Sequence, residues 1–124
     1  MIEIKKLKDG VTKPTPTPSG LDLYATKRVD IEPDQTCKMD SGLSIKISEG
    51  YVGILFPKGK MSLKFNARIG AQLVHANHEG EIVYQIHNSG KDLLEIIENK
   101  DPILQLVVVP VHHLTTFIGF DDET

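Results

Sequence analysis

Two short clusters in this sequence carry groups able to do chemistry. His75 and His78 stand on one glycine-closed stretch, His75-Ala76-Asn77-His78-Glu79-Gly80. A neutral imidazole can take up a proton near pH 7, so either histidine is a candidate base. Two imidazoles also suggest a metal pair, but a structural or catalytic metal needs three or four ligands. Two histidines on one turn do not by themselves complete such a set. The competing reading is a pair of solvated turn histidines. The second cluster is Lys58-Gly59-Lys60, two ammonium groups about a glycine. Such a turn can hold an anion, and it can equally be a solvated basic turn. Cys37 is the one cysteine. It cannot form an internal disulfide, fits a reducing compartment, and reads by default as a small apolar residue.

The frame around these groups is a short chain. Its 124 residues suit one domain, 1–124, with a modest core. The hydrophobic fraction of 40% and charged fraction of 25% place it among globular chains. A net charge of −3 gives no electrostatic case for binding a nucleic-acid polymer. No apolar run reaches membrane-spanning length, and the N-terminus lacks a signal-peptide core. A cytoplasmic location is the expectation.

The positioning elements read as strand after strand. Ile2 and Ile4 alternate with charges. Leu43, Ile45 and Ile47 alternate with Ser44, Lys46 and Ser48, and Glu49-Gly50 makes the turn that follows. Pro14, Pro16 and Pro18 make an extended arm. Val29–Ile31, Tyr51–Phe56, Ile69–Val74, Glu81–His87, Leu93–Ile97 and Ile103–Val109 complete the set. Met61–Phe65 is ambiguous and fits a single helical turn. His75–Gly80 reads as the tip of a hairpin, and Asn88-Ser89-Gly90 as a turn. Many short strands with frequent turns predict an all-β sandwich or barrel.

Four segments, in order, resemble the motifs of the deoxyuridine-triphosphatase (dUTPase) family. Pro18-Ser19-Gly20-Leu21-Asp22-Leu23-Tyr24-Ala25 is similar to its Gly-Tyr-Asp-Leu segment. Pro57-Lys58-Gly59-Lys60-Met61-Ser62-Leu63 is similar to Pro-Arg-Ser-Ser/Gly-Leu. Leu73-Val74-His75-Ala76-Asn77-His78-Glu79-Gly80 occupies the place of Gly-Val-Ile-Asp-x-x-Tyr-x-Gly. Asp101-Pro102-Ile103-Leu104-Gln105-Leu106 is similar to Gly-Asp-Arg-Ile-Ala-Gln-Leu. The resemblance covers nearly the whole chain. It implies a distorted jelly-roll of the β-clip type and a homotrimer with sites at subunit boundaries. It also implies hydrolysis of dUTP to dUMP and pyrophosphate, with Mg²⁺ carried on the nucleotide phosphates.

Attack on an α-phosphate needs an activated water, cations on the phosphates, a base-reading pocket and a closing segment. The family's water-activating Asp corresponds to His75, and its sugar-stacking Tyr to His78. Its phosphate-gripping Arg corresponds to Lys58, a mobile point charge in place of a planar fork. The next Ser is Gly59, while Lys60 adds a charge. Lys58, Gly59, Lys60, His78 and Gln105 are the implied nucleotide contacts, with Asp22 and Asp101 in support. The Arg of the last motif is Pro102, which has no charge and no backbone donor. Of the family's closing segment, an Arg followed by a Gly/Ser-rich stretch, only Gly119-Phe120 is similar to the Gly-Phe found there. The chain instead ends in Asp121-Asp122-Glu123-Thr124, and residues 117–124 are expected to form a flexible acidic tail. Deoxycytidine-triphosphate deaminases share the fold, and their catalytic Glu corresponds to Gln85, which cannot shuttle a proton. Three readings follow: a member impaired in dUTP hydrolysis that binds a deoxynucleotide or another partner; a pyrophosphohydrolase using His75 as base; or an interaction module on a trimeric scaffold.

Overall fold

The computed structural model describes residues 2–70, 73–112 and 118–119. Eleven strands and one helical turn make up these residues. They are β1 (Ile2–Lys6), β2 (Thr15–Thr17), β3 (Gly20–Tyr24), β4 (Val29–Ile31), β5 (Thr36–Ile47), β6 (Tyr51–Pro57), β7 (Ala67–Gly70), β8 (Leu73–Val74), β9 (Glu81–Asn88), β10 (Leu94–Ile96) and β11 (Pro102–Pro110). One sheet runs β1-β5-β9-β7 and a second runs β2-β3-β11-β6-β8; β10 and β4 form a separate pair. All pairings are antiparallel. The all-β, jelly-roll-like expectation holds.

The strict alternation in β5 puts Leu43, Ile45 and Ile47 on its inner face, each at most 4% exposed. They join Tyr84 and Ile86 of β9 and Leu55, Leu104 and Leu106 of the other sheet in one core. The sheets meet closely at Gly53. A Cβ there would lie 2.7 Å from Ile47 Cδ1 and 2.9 Å from Leu106 Cδ1, so only glycine fits between them.

Two expectations change. The prolyl arm is extended, but Thr15–Thr17 is a true edge strand paired to β3, as edge positions allow for proline. The stretch before Gly80 is not a hairpin tip. β8 pairs with β6 in one sheet, whereas β9 pairs with β5 and β7 in the other. His75–Gly80 therefore crosses between the sheets. The ambiguous segment is a π-helical turn, Lys60–Lys64, with only Met61 buried. Among the described residues no helix is long and apolar enough to cross a membrane.

Candidate functional site

Strand register gathers most of the candidate residues at one end of the five-stranded sheet. Gln105 of β11 lies opposite Asp22 of β3 on one side and Phe56 of β6 on the other. Lys58 leaves β6 one residue later than Pro57, which pairs with Leu104. The Lys58 N–H donates to the Ile103 carbonyl at 3.0 Å, which pins the backbone there. Its ammonium donates to Asp22 Oδ1 at 2.8 Å. This pair is sheltered: the side chains are 26% and 11% exposed.

Lys60 Nζ lies 3.4 Å from Asp101 Oδ2, and both side chains are about half exposed. An exposed pair of this kind contributes at most about 1 kcal/mol. Gln105 Nε2 donates to Ser19 Oγ at 2.7 Å. Ser19 carries no assignment in the sequence reading. Its place just ahead of Asp22 in the first motif was the available signal. Gly59 has open space around its Cβ position, so sterics do not demand glycine there.

Asp22, Lys58, Lys60, Asp101 and Gln105 thus form one cluster. It holds two ammonium groups and two carboxylates, and they are already paired. A nucleoside triphosphate brought there meets no net positive charge.

His75 and His78 lie elsewhere. His75 is exposed, and its carbonyl accepts the His78 N–H at 3.0 Å, closing a tight turn. Val74 pairs with Gly53, so His75 continues alongside Val52, at the opposite end of β6 from Lys58. Six residue steps at about 3.3 Å each separate those ends by roughly 20 Å. His78 is half-buried, and its Nε2 is shielded without a hydrogen-bond partner among the described residues. The loop borders a cleft of about 490 Å³ lined by Ser44, Lys46 and Ala76–Gly80. The structure does not bring the two candidate clusters together within one chain. The acidic-tail expectation falls outside the described residues, apart from exposed Ile118 and Gly119.

The cation that the resemblance implies is Mg²⁺. This ion requires hard oxygen ligands at about 2.0–2.1 Å. Asp22 and Asp101 offer such oxygens, but each already faces a lysine. A dication on Asp22 would stand within roughly 5 Å of the Lys58 ammonium, and like charges at that range repel by several kcal/mol at an effective dielectric of about 20. Among the described residues no group of three or more His, Cys, Asp or Glu could hold a metal ion. Among the described residues, none fits a resident Mg²⁺.

The comparisons with known proteins agree with the geometry of the fold. The family model for dUTPase matches residues 8–123. The chain is 32% identical to the deoxyuridine 5'-triphosphate nucleotidohydrolase of Leifsonia xyli subsp. xyli, across 77% of this chain and 64% of that protein. It is 31% identical to that of Pseudomonas fluorescens (88% and 76%) and 30% identical to that of Aquifex aeolicus (92% and 81%). The chain therefore spans just under two thirds of the Leifsonia protein and more of the other two. Among solved structures, the dUTPase of phage phi11 of S. aureus superimposes with a TM-score of 0.87 at 20% identity, covering 100% of this chain and 99% of that one. A mutant structure of the phi11 protein shows the coordination of a structural Mg(II) ion. The Staphylococcus bacteriophage 80alpha dUTPase gives a TM-score of 0.85 at 21% identity, covering 98% and 99%. Fold, motif order and relatives agree: this chain belongs to the dUTPase family.

Proposed function

We propose that the chain binds a deoxynucleotide and is impaired in the standard hydrolysis of dUTP. The observation that carries this reading is the self-neutralised cluster: Lys58 is held by Asp22 at 2.8 Å and Lys60 by Asp101 at 3.4 Å. Pro102 and Gly59 supply neither the charge nor the hydroxyl that the family places there. By the motif resemblance, His75 stands in place of the water-activating carboxylate. Electrostatic stabilisation of developing phosphate charge is usually the largest catalytic term, and this cluster has little of it to offer.

Self-association fits the same reading. The outward face of the five-stranded sheet carries Val52, Ile54 and Phe56 on β6, Val107 and Val109 on β11, and Leu73 on β8. A continuous apolar face of this kind is what an interface between copies covers. A homotrimer is the assembly we expect. Joining His75 to Lys58 requires a second chain. The lone Cys37 supports a cytoplasmic setting.

The alternative is an active dUTP or modified-deoxynucleotide pyrophosphohydrolase with His75 as base. The exposure of His75 and the names of the curated relatives favour it. The deciding assay measures pyrophosphate release from a panel of deoxynucleoside triphosphates with Mg²⁺, beside ligand-induced melting shifts. A shift without turnover is the expected result. Robust turnover of dUTP would overturn the impairment. Turnover lost in His75→Ala would assign the base. Neither signal would leave an interaction module.

A further inference from the structure

We propose that the cleft between β1 and the prolyl arm binds a small organic anion with an apolar body, of the class of aromatic or medium-chain carboxylates. The site is separate from the nucleotide cluster: none of Asp22, Lys58, Lys60, Asp101 and Gln105 lines it.

β1 and β2 are the outer strands of their two sheets among the described residues, and the cleft opens between them. Its volume is about 480 Å³, within the roughly 300–1,000 Å³ of small-molecule sites. Ile4, Val11, Pro14, Pro16, Leu21 and Leu43 give it an apolar wall. A packed interior leaves few voids larger than a water molecule, so a gap of this size is more than a packing defect.

The wall is held in place without a ligand. The Leu7 N–H donates to the Gly42 carbonyl at 2.8 Å. Thr12 Oγ1 donates to Asn99 Oδ1 at 2.6 Å. Val11 packs onto Gly42, its Cγ2 only 2.5 Å from where a Cβ would stand. Gly42 has a φ of +73°, and its N–H donates to Glu81 Oε2 at 2.7 Å. Pro14 is buried and Pro16 is paired to Leu21, each with φ fixed by its ring. A preformed cavity spares a ligand the cost of ordering it.

Lys6 and Lys13 also line this cleft. Both are exposed, and among the described residues neither has an ion-pair partner. They differ in this from Lys58 and Lys60, which already face carboxylates. Among the described residues no carboxylate or carboxamide side chain lines the cleft, so nothing in the wall repels an anion or reads the edge of a nucleobase. The wall takes a hydrocarbon body out of water, and the ammonium groups meet a single anionic head. Lysines on an edge strand also discourage pairing with another strand, but that duty needs no cavity behind them.

The test titrates the full chain with naphthoate and with octanoate, each beside its neutral alcohol, naphthylmethanol or octanol. Backbone amide shifts are followed by NMR alongside isothermal titration. The expected result for at least one acid is saturable one-to-one binding with a Kd below about 1 mM, and binding of its alcohol weaker by about tenfold. The shifts should centre on Ile4, Val11, Leu21 and Leu43. The double variant Lys6→Gln, Lys13→Gln should weaken the acid by about tenfold, and since both side chains are exposed it should melt as the parent does. Equal binding of acid and alcohol, undiminished binding in the double variant, shifts centred on the β6 face, or no saturation by either acid below about 5 mM would each overturn the proposal. So would binding that emerges only in Phe117→Ser, Phe120→Ser, because the cleft would then belong to the chain's own terminal segment. No nucleotide enters these measurements, so their outcome is independent of whether hydrolysis is impaired.

Discussion

Replacing Leu106 with Ala tests the packing that holds the site-bearing strand. Leu106 is 1% exposed on β11, the middle strand of the five-stranded sheet, between Leu21 and Leu55. The change removes three carbon atoms. At about 0.8 kcal/mol each, the lost transfer energy is roughly 2.5 kcal/mol. A residual cavity of about 60 Å³ at about 24 cal/mol per Å³ adds roughly 1.5 kcal/mol. The expected loss is about 4 kcal/mol, read as a fall in urea midpoint at unchanged slope and fixed protein concentration. Leu106 Cδ1 is also one of the atoms that a Cβ on Gly53 would strike, at 2.9 Å. Gly53→Ala should therefore cost less in the Leu106→Ala background than alone, by roughly 1 kcal/mol of coupling. A loss below about 1 kcal/mol for Leu106→Ala, or strict additivity of the pair, would refute this account of the sheet contact.

Three further outcomes follow from single residues. Burial, with Cys37 and Asp40 nearby, raises the Tyr84 phenol well above its ordinary value of 10.0. The unfolded chain then loses this proton first, so stability is full below about pH 10 and falls as pH rises above it. Because the hydroxyl is buried without a partner among the described residues, Tyr84→Phe should flatten that alkaline loss. It should leave neutral-pH stability unchanged or raised by up to about 1 kcal/mol, measured by urea unfolding across pH. Asn88 is 0% exposed; its amide donates to the carbonyls of Ile31 and Asp92 and accepts from the Gly90 N–H. Asn88→Ala should cost roughly 2–4 kcal/mol, and a loss under about 1 kcal/mol would contradict this keystone role. A Cβ on Gly20 would lie 2.3 Å from the Leu106 carbonyl oxygen. Gly20→Ala should push β3 off β11 and weaken protection of the β11 amides in hydrogen exchange; native protection would refute it.

What the sequence revealed depended on how local each feature is. Leu43, Ile45 and Ile47 announce their strand because alternation is carried by neighbours. The earlier half of β5, Thr36–Ser41, was not legible, since its mixed polar residues are held in place by pairing with β9. The crossing made by His75–Gly80 was misread as a hairpin tip for the same reason: the partner of β8 is β6, distant in sequence. The motif residues were found through their order along the chain. The ion pair between Asp22 and Lys58 was not foreseen, because it follows from the register of β3, β11 and β6 together. Tyr84 gave no hint that its hydroxyl lacks a hydrogen-bond partner among the described residues, which depends on what surrounds it in the core.

The length of β6 has a genetic consequence. With His75 at one end and Lys58 at the other, any site using both draws on two gene products even when the gene is one. A chain carrying His75→Ala and a chain carrying Lys58→Met are then each defective by themselves but complementary when refolded together. Mixed assemblies would regain a share of whole sites set by the mixing ratio. Conversely, a copy with a single lesion mixed with intact copies would spoil one site per defective chain, so the share of whole sites would fall in proportion to dose.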